Sequence, residues 1–319
     1  MPSPVTASVD VSYSIRPQMI ENDIDIGHIV SVNFGIALRS NGNLYFVPTD
    51  AGLKGALKEM IAGTVAALNT AQGDWQAYDI SEDYGQRRRV YCNRGSEYMA
   101  VFSTLFDAGA LDDLTNLPDH VNDIEYYFAE ITDDQNRRMV GVRKATQFKG
   151  TVKAKNRLVR MTNDTLSIIE DTVFKLDNEF DVLITDANVY ILNDTQMQLL
   201  ADITSRVAAT AKDKIQAIEN TITFLDLSRI KEKIEKHPRV ARYAASIAQN
   251  PLIANFQRAK IETLAQQHGI VFKELETGKL QCRVEDEAKL MELLDARRYH
   301  LDLADNGGDP YRATGRQKV

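Results

Sequence analysis

The chain has 319 residues, is 44% hydrophobic and carries a formal net charge of −7, enough apolar length to bury a full core as two domains or one large one. It contains no run of about 18 apolar residues able to span a bilayer, and its opening Met-Pro-Ser-Pro lacks the basic and apolar blocks of a secretory leader. Its two cysteines, Cys92 and Cys282, stand far apart without a partner at metal spacing, which excludes a disulfide framework and fits a cytoplasmic location.

Along the first half, His28 to Leu38 alternates as a strand does, with Leu44 to Pro48 as its hairpin partner across Ser40-Asn41-Gly42-Asn43. Thr49 or Asp50 caps a helix running to about Asn69. Trp75 to Ile80 and Arg87 to Asn93 read as strands and Ser96 to Asp107 as a helix. Three consecutive arginines, Arg87-Arg88-Arg89, point to both faces of their strand, which is most simply met at a sheet edge. Ile124 to Ile131 and Arg138 to Val142 then form a hairpin around Asp133-Asp134-Gln135-Asn136.

Charge reverses at that turn. From Gly95 to Asn136 there are ten acidic residues and no Lys or Arg; from Gln135 to Asn163 there are nine basic residues and no acid. The basic residues are interspersed with Val140, Val142, Phe148, Val152, Leu158 and Val159, the pattern of a folded surface rather than a disordered tail. Two readings stand. Positive surface free of acids is what a polyanion such as a nucleic-acid backbone requires; alternatively, acidic and basic strands lie side by side and cancel.

In the second half, Thr165 to Ile169 is followed by the clearest hairpin in the chain, Phe180 to Thr185 and Val189 to Leu192 around Asp186-Ala187-Asn188. A long helix follows, with Asn193 and Gln196 spaced as a capping box. Leu200, Ile203, Val207, Ala211, Ile215, Ile218 and Ile222 form one apolar stripe along it. Shorter helices are punctuated by Pro238, Pro251 and Gly269, and a last one spans about Glu285 to Asp295 before Arg297 to Leu303. Arg229 to His268 holds eight basic and three acidic residues, a second positive surface, in which Lys231, Lys233, Lys236, Arg239 and Arg242, interleaved with Glu232 and Glu235, are most economically a solvated face.

Catalytic signatures are missing. Thr277-Gly278-Lys279 lacks the rest of a phosphate-binding loop, no GxGxxG follows a strand, and the five histidines form no metal motif. A metal-dependent nuclease would place carboxylates such as Asp181, with Asp177, Glu179 or Asp186, beside a Lys on the partnering strand. Val189 to Leu192 contains neither acid nor Lys, so these acids read as turn and strand-edge residues.

The run Val173 to Asn193, with Phe180-Asp181 opening an apolar strand and Leu192-Asn193 closing the hairpin, is joined by the ending Leu293 to Leu301 and the tail Tyr311 to Val319. Together these resemble the KwaB family of the bacterial Kiwa anti-phage system over about residues 165 to 319. Where relatives carry an aromatic-acidic pair inside the long helix, this chain has Met197-Gln198. The resemblance implies a cytoplasmic defence protein, recruited to the inner membrane by the membrane-embedded Kiwa component, that binds DNA to interfere with phage replication. Its motifs carry no chemistry, so the expectation is a non-enzymatic, cofactor-free effector. The alternatives are a Mg-dependent nuclease and an assembly protein docking an acidic partner. The expected fold is α+β, an N-terminal mixed α/β domain at residues 1–163 and a C-terminal α+β domain at 164–319. The expected phosphate contacts are Arg143, Lys144, Lys149, Lys153, Lys155, Arg157 and Arg160, and the length of the Leu200 to Ile222 stripe suggests a homodimer.

Overall fold

The computed structural model describes residues 20–82, 84, 86–145, 159–162, 165–168, 176–301 and 309–313. A short helix, α1 (Ile20–Asp23), precedes the first hairpin, in which β1 (Ile29–Leu38) pairs antiparallel with β2 (Leu44–Val47). The Asp50 carboxylate then accepts from the Leu53 N–H at 2.7 Å and starts α2 (Ala51–Thr70), satisfying one of the N–H groups that a helix start leaves without a partner.

Next come β3 (Gln72–Ala77) and β4 (Gln86–Asn93), which pair in parallel. Parallel neighbours need the chain to return along the strand, ordinarily about a dozen residues or more. Here only residues 78–85 do so, a strap across the sheet on which Ile80, Glu82 and Tyr84 are buried. The Tyr84 hydroxyl staples the strap, accepting from the Asp79 N–H at 2.6 Å and donating to the Ala77 carbonyl at 3.1 Å.

Helices α3 (Ala100–Phe106) and α4 (Leu117–His120) lead to the hairpin of β5 (Ile124–Asp133) and β6 (Arg138–Lys144), so the charge reversal falls at its turn. A small separate hairpin, β7 (Val159–Thr162) with β8 (Thr165–Ile168), precedes β9 (Val182–Ile184) and β10 (Asn188–Asn193).

Eight strands join in one mixed sheet, in the order β2-β1-β5-β6-β9-β10-β4-β3. The fold is α+β. β9 and β10, from the second half of the chain, join the strands of the first half in this sheet, β9 pairing with β6 and β10 with β4. The Arg87-Arg88-Arg89 strand is not an edge: β4 lies between β10 and β3. Arg89 is accommodated there by donating to the Leu68 and Asn69 carbonyls at the end of α2, acceptors the last helical turn leaves open.

Both faces of the sheet are covered. Tyr127, Ala129 and Ile131 face α1 and α2, with Leu57, Ile61 and Leu68 opposite; the alternate residues Tyr126 and Phe128 belong to a second core with Phe102, Leu105 and Phe106 of α3, as the period of two requires. Gly141 makes room for Phe180, whose ring a Cβ there would meet at 2.6 Å.

After β10, the Asn193 carboxamide caps α5 (Asp194–Leu200) by accepting from the Gln196 N–H. The expected long helix is in fact two: Asp202 takes φ +48° and α6 (Ile203–Thr221) sets off afresh. The apolar stripe from Leu200 to Ile222 is buried within its own chain, against α8 (Pro238–Gln249) and its neighbours. It therefore offers no face to a second copy. Helix α7 (Ser228–Lys233) precedes α8, and α9 (Arg258–Gln267) follows it. A hairpin the sequence reading passed over, β11 (Phe272–Glu274) with β12 (Leu280–Cys282), uses Thr277-Gly278-Lys279 as its turn, Gly278 at φ +76°. Helix α10 (Glu287–Leu294) and the hairpin β13 (Arg298–Leu301) with β14 (Asp309–Arg312) complete the described chain.

Candidate functional site

The basic residues of β6 lie beside acids, as the cancelling reading expected. Arg137 pairs with Asp133 at 2.7 Å, Arg138 with Glu130, and Lys144 with Glu125 at 3.2 Å. Arg143 reaches the segment before β9, with its Nε 3.0 Å from Asp177 and its Nη1 3.4 Å from Asp181. Two of the seven expected phosphate contacts, Arg143 and Lys144, are therefore already neutralised. Lys149, Lys153, Lys155 and Arg157 lie outside the described residues, and Arg160 is placed by its backbone on β7.

Asp181 is 1% exposed. Burial pushes its carboxyl above the ordinary value, opposed by the Lys144 N–H at 2.9 Å and by Arg143. Through that amide and guanidinium the Asp181 carboxylate links β6 to the segment that opens β9. Among the described residues no group of three or more His, Cys, Asp or Glu could hold a metal ion.

A second charged constellation escaped the sequence reading. Arg297 is 1% exposed. It donates to Asp295 at 2.7 Å through Nε and to Glu82 at 2.9 Å, the Ser81 carbonyl at 2.8 Å and the Ser81 hydroxyl at 2.7 Å through Nη2. Its guanidinium also lies 5.1 Å from the Tyr243 ring centroid. Burial alone disfavours its charge, and the two carboxylates more than offset this, raising its pKa. One position on, Arg298 pairs with Glu292 at 2.7 Å, where Arg312 joins it. This network ties the end of α10 to the strap.

Above the network opens a cleft of about 530 Å³ between three walls. The strap supplies Ser81 and Glu82; α5 and the start of α6 supply Asp194, Thr195, Gln198, Leu199 and Thr204; α8 supplies Arg239 and Arg242. Its carboxylates each accept from a donor, Glu82 from Arg297 and Asp194 from the Gln198 Nε2 at 2.9 Å. The arginines have neutral partners: Arg239 Nε donates to the Tyr243 hydroxyl at 2.6 Å and Arg242 Nη2 to Gln198 Oε1 at 2.7 Å. The sequence traces of this site were scattered: the basic block that holds Arg239 and Arg242, the Met197-Gln198 pair, and the terminal Leu293 to Leu301 run, whose Asp295, Arg297 and Arg298 are charges set among apolar residues.

A family model described as Kiwa protein KwaB-like matches residues 121–303, which takes in β5 through β13 and every cleft residue except those on the strap. No curated protein and no solved structure matches the chain.

Proposed function

The chain belongs to the Kiwa protein KwaB-like family and so to Kiwa anti-phage defence, and from that premise we propose that it acts by binding DNA without hydrolysing it. One observation carries the reading: the run from Gln135 to Asn163 contains nine basic residues and no acid. Its first four cations are balanced by acids around β6. Phosphate contact therefore falls to Lys149, Lys153, Lys155, Arg157 and Arg160, which follow one another with no acid between them. Backbone contacts of this kind are indifferent to base sequence. The closed environment of Asp181 supports binding over cleavage.

Its partner in this reading is the membrane-embedded component of the same system, which would recruit a cytoplasmic protein to the inner membrane. No helix among the described residues is long and apolar enough to cross a membrane. A homodimer would carry two basic segments on one particle and gain affinity for long DNA through effective concentration; light scattering over a range of concentrations tests it.

A gel shift on the purified protein, with cleavage followed in Mg²⁺ and Mn²⁺, tests the main reading. Reversing Lys153, Lys155 and Arg157 together to Glu is expected to abolish the shift while thermal unfolding stays as in the parent. An unchanged affinity in that variant sinks the assignment, and metal-dependent degradation that disappears in Asp181→Ala replaces it with a nuclease.

A further inference from the structure

The cleft between the strap, α5 and α8 has a composition that its structural role does not explain. Arg239 and Arg242, one helical turn apart on α8, both line it, and among the described residues neither has a carboxylate within salt-bridge distance. Arg94, Arg137, Arg143, Arg258 and Arg298 are each matched to Asp or Glu, whereas these two guanidiniums share one wall with neutral partners. Around them stand neutral hydrogen-bonding groups, the hydroxyls of Ser81, Thr195 and Thr204. The cleft also holds Glu82 and Asp194, 7% and 6% exposed, and the Gln198 carboxamide stands between Arg242 and Asp194. Each carboxylate is already held by a donor, so neither is drawn across to the arginines.

Behind this wall the Tyr78 hydroxyl is buried without a hydrogen-bond partner. It lies within electrostatic reach of both Asp194 and Arg242, and burial raises its pKa, so it stays protonated and able to donate.

We propose that this cleft binds a small phosphate ester of nucleotide size, its phosphate held by Arg239 and Arg242 and its donor groups facing Asp194. Guanidinium groups match phosphate oxygens two at a time and are the strongest side-chain partners for them. The carboxylates of the same cleft accept from ligand hydroxyl or amino groups, so the cleft suits a molecule that carries both an anionic group and donors. A volume of about 530 Å³ falls among small-molecule sites, about 300–1,000 Å³, and is far too small for a duplex. The inference goes beyond the DNA-binding reading and does not depend on it, because the cleft shares no residue with the basic segment.

Isothermal titration of the full chain with AMP, ATP and inorganic pyrophosphate, each in turn and without divalent metal, tests it. Saturable binding of at least one nucleotide is expected. Arg239→Gln and Arg242→Gln should each weaken it by about tenfold or more, the loss of one charge-assisted phosphate contact. Because Arg242 is half-buried and its replacement risks the fold, Thr204→Glu serves as a second probe. It sets a negative charge at an exposed position in the first turn of α6, which the helix dipole tolerates, and should abolish binding while unfolding stays as in the parent. The same variants are carried through the duplex gel shift, where no change is expected. Absence of binding by all three probes at millimolar concentration overturns the proposal, as does equal affinity in parent and variants. Variants that lose only the duplex shift would also overturn it, assigning the arginines to DNA.

Discussion

Asp133 sits at the end of β5 with a side chain that no water reaches, and four donors converge on it. The N–H groups of Gln135 and Arg137 meet one carboxylate oxygen at 2.9 Å each; the Asp25 N–H at 3.0 Å and Arg137 Nε at 2.7 Å meet the other. Burial works to raise its pKa, but these bonds prevail and hold it at about 2, below the ordinary 3.8. A depressed folded pKa contributes stability that is present in full above the ordinary value and is lost as pH falls through the folded one. Urea titrations of the parent should therefore show a loss between about pH 4 and pH 2 that Asp133→Asn lacks, the variant being already weaker at neutral pH by about 1–3 kcal/mol. An equal acid response in both proteins would remove Asp133 from this role. Arg297 is a more exacting case, since its removal leaves Glu82 and Asp295 buried without their cation. Arg297→Met is expected to lose about 3–5 kcal/mol in the same titration. Adding Glu82→Gln should return part of that loss, whereas additive effects would show that the pair is not coupled. Asp50 and Asn193 could be read as caps from sequence because a cap acts within three residues of itself. Arg297 could not, because its partner on the strap is 215 positions away.

Elements were legible where the pattern is local. The hairpins β1–β2, β5–β6 and β9–β10 lie where alternation and turn residues placed them. Three features were not legible, each for a physical reason. One left-handed residue, Asp202, splits the long helix without disturbing the three- and four-residue apolar spacing on either side. The β11–β12 hairpin has strands of three residues, too short to show a period. The parallel pairing of β3 with β4 breaks the expectation that close neighbours in sequence fold back antiparallel. The end of α10 gives a test at this scale. Arg297 N–H bonds back to the Glu292 carbonyl at 2.8 Å, and Ala296, the residue between helix and strand, takes φ +55°. That position ordinarily belongs to glycine, because a Cβ in the left-handed region costs about 1–2 kcal/mol. Ala296→Gly, at an exposed site, is expected to raise the melting temperature modestly; a lower one would mean that chain entropy outweighs the relieved strain.

Across the whole molecule, charge is arranged in two ways. Around β6 and beneath the cleft it is matched within the chain, and matched charge responds little to salt when it is shielded from solvent. The segment from Lys149 to Arg160 has no acid among its own residues. If its five cations meet phosphates, log K for duplex DNA should fall against log salt with a slope of about −4 to −5. A slope near zero would mean that DNA is not held by this charge. The strap between β3 and β4 bears on something else, the order in which the protein can be completed. A ribosome adding about 5–20 residues per second takes about 10–40 s to travel the 215 residues from Glu82 to Arg297. Throughout that interval the strap's carboxylate lacks the cation that allows its burial, and for about the first half of it β4 lacks β10, which is made about a hundred residues after it. One side of β4 is thus an open edge until β10 is made, and the strap closes over the core only when Arg297 is at hand, so a chain terminated before β10 would be left with an exposed strand edge that proteases or chaperones can recognise.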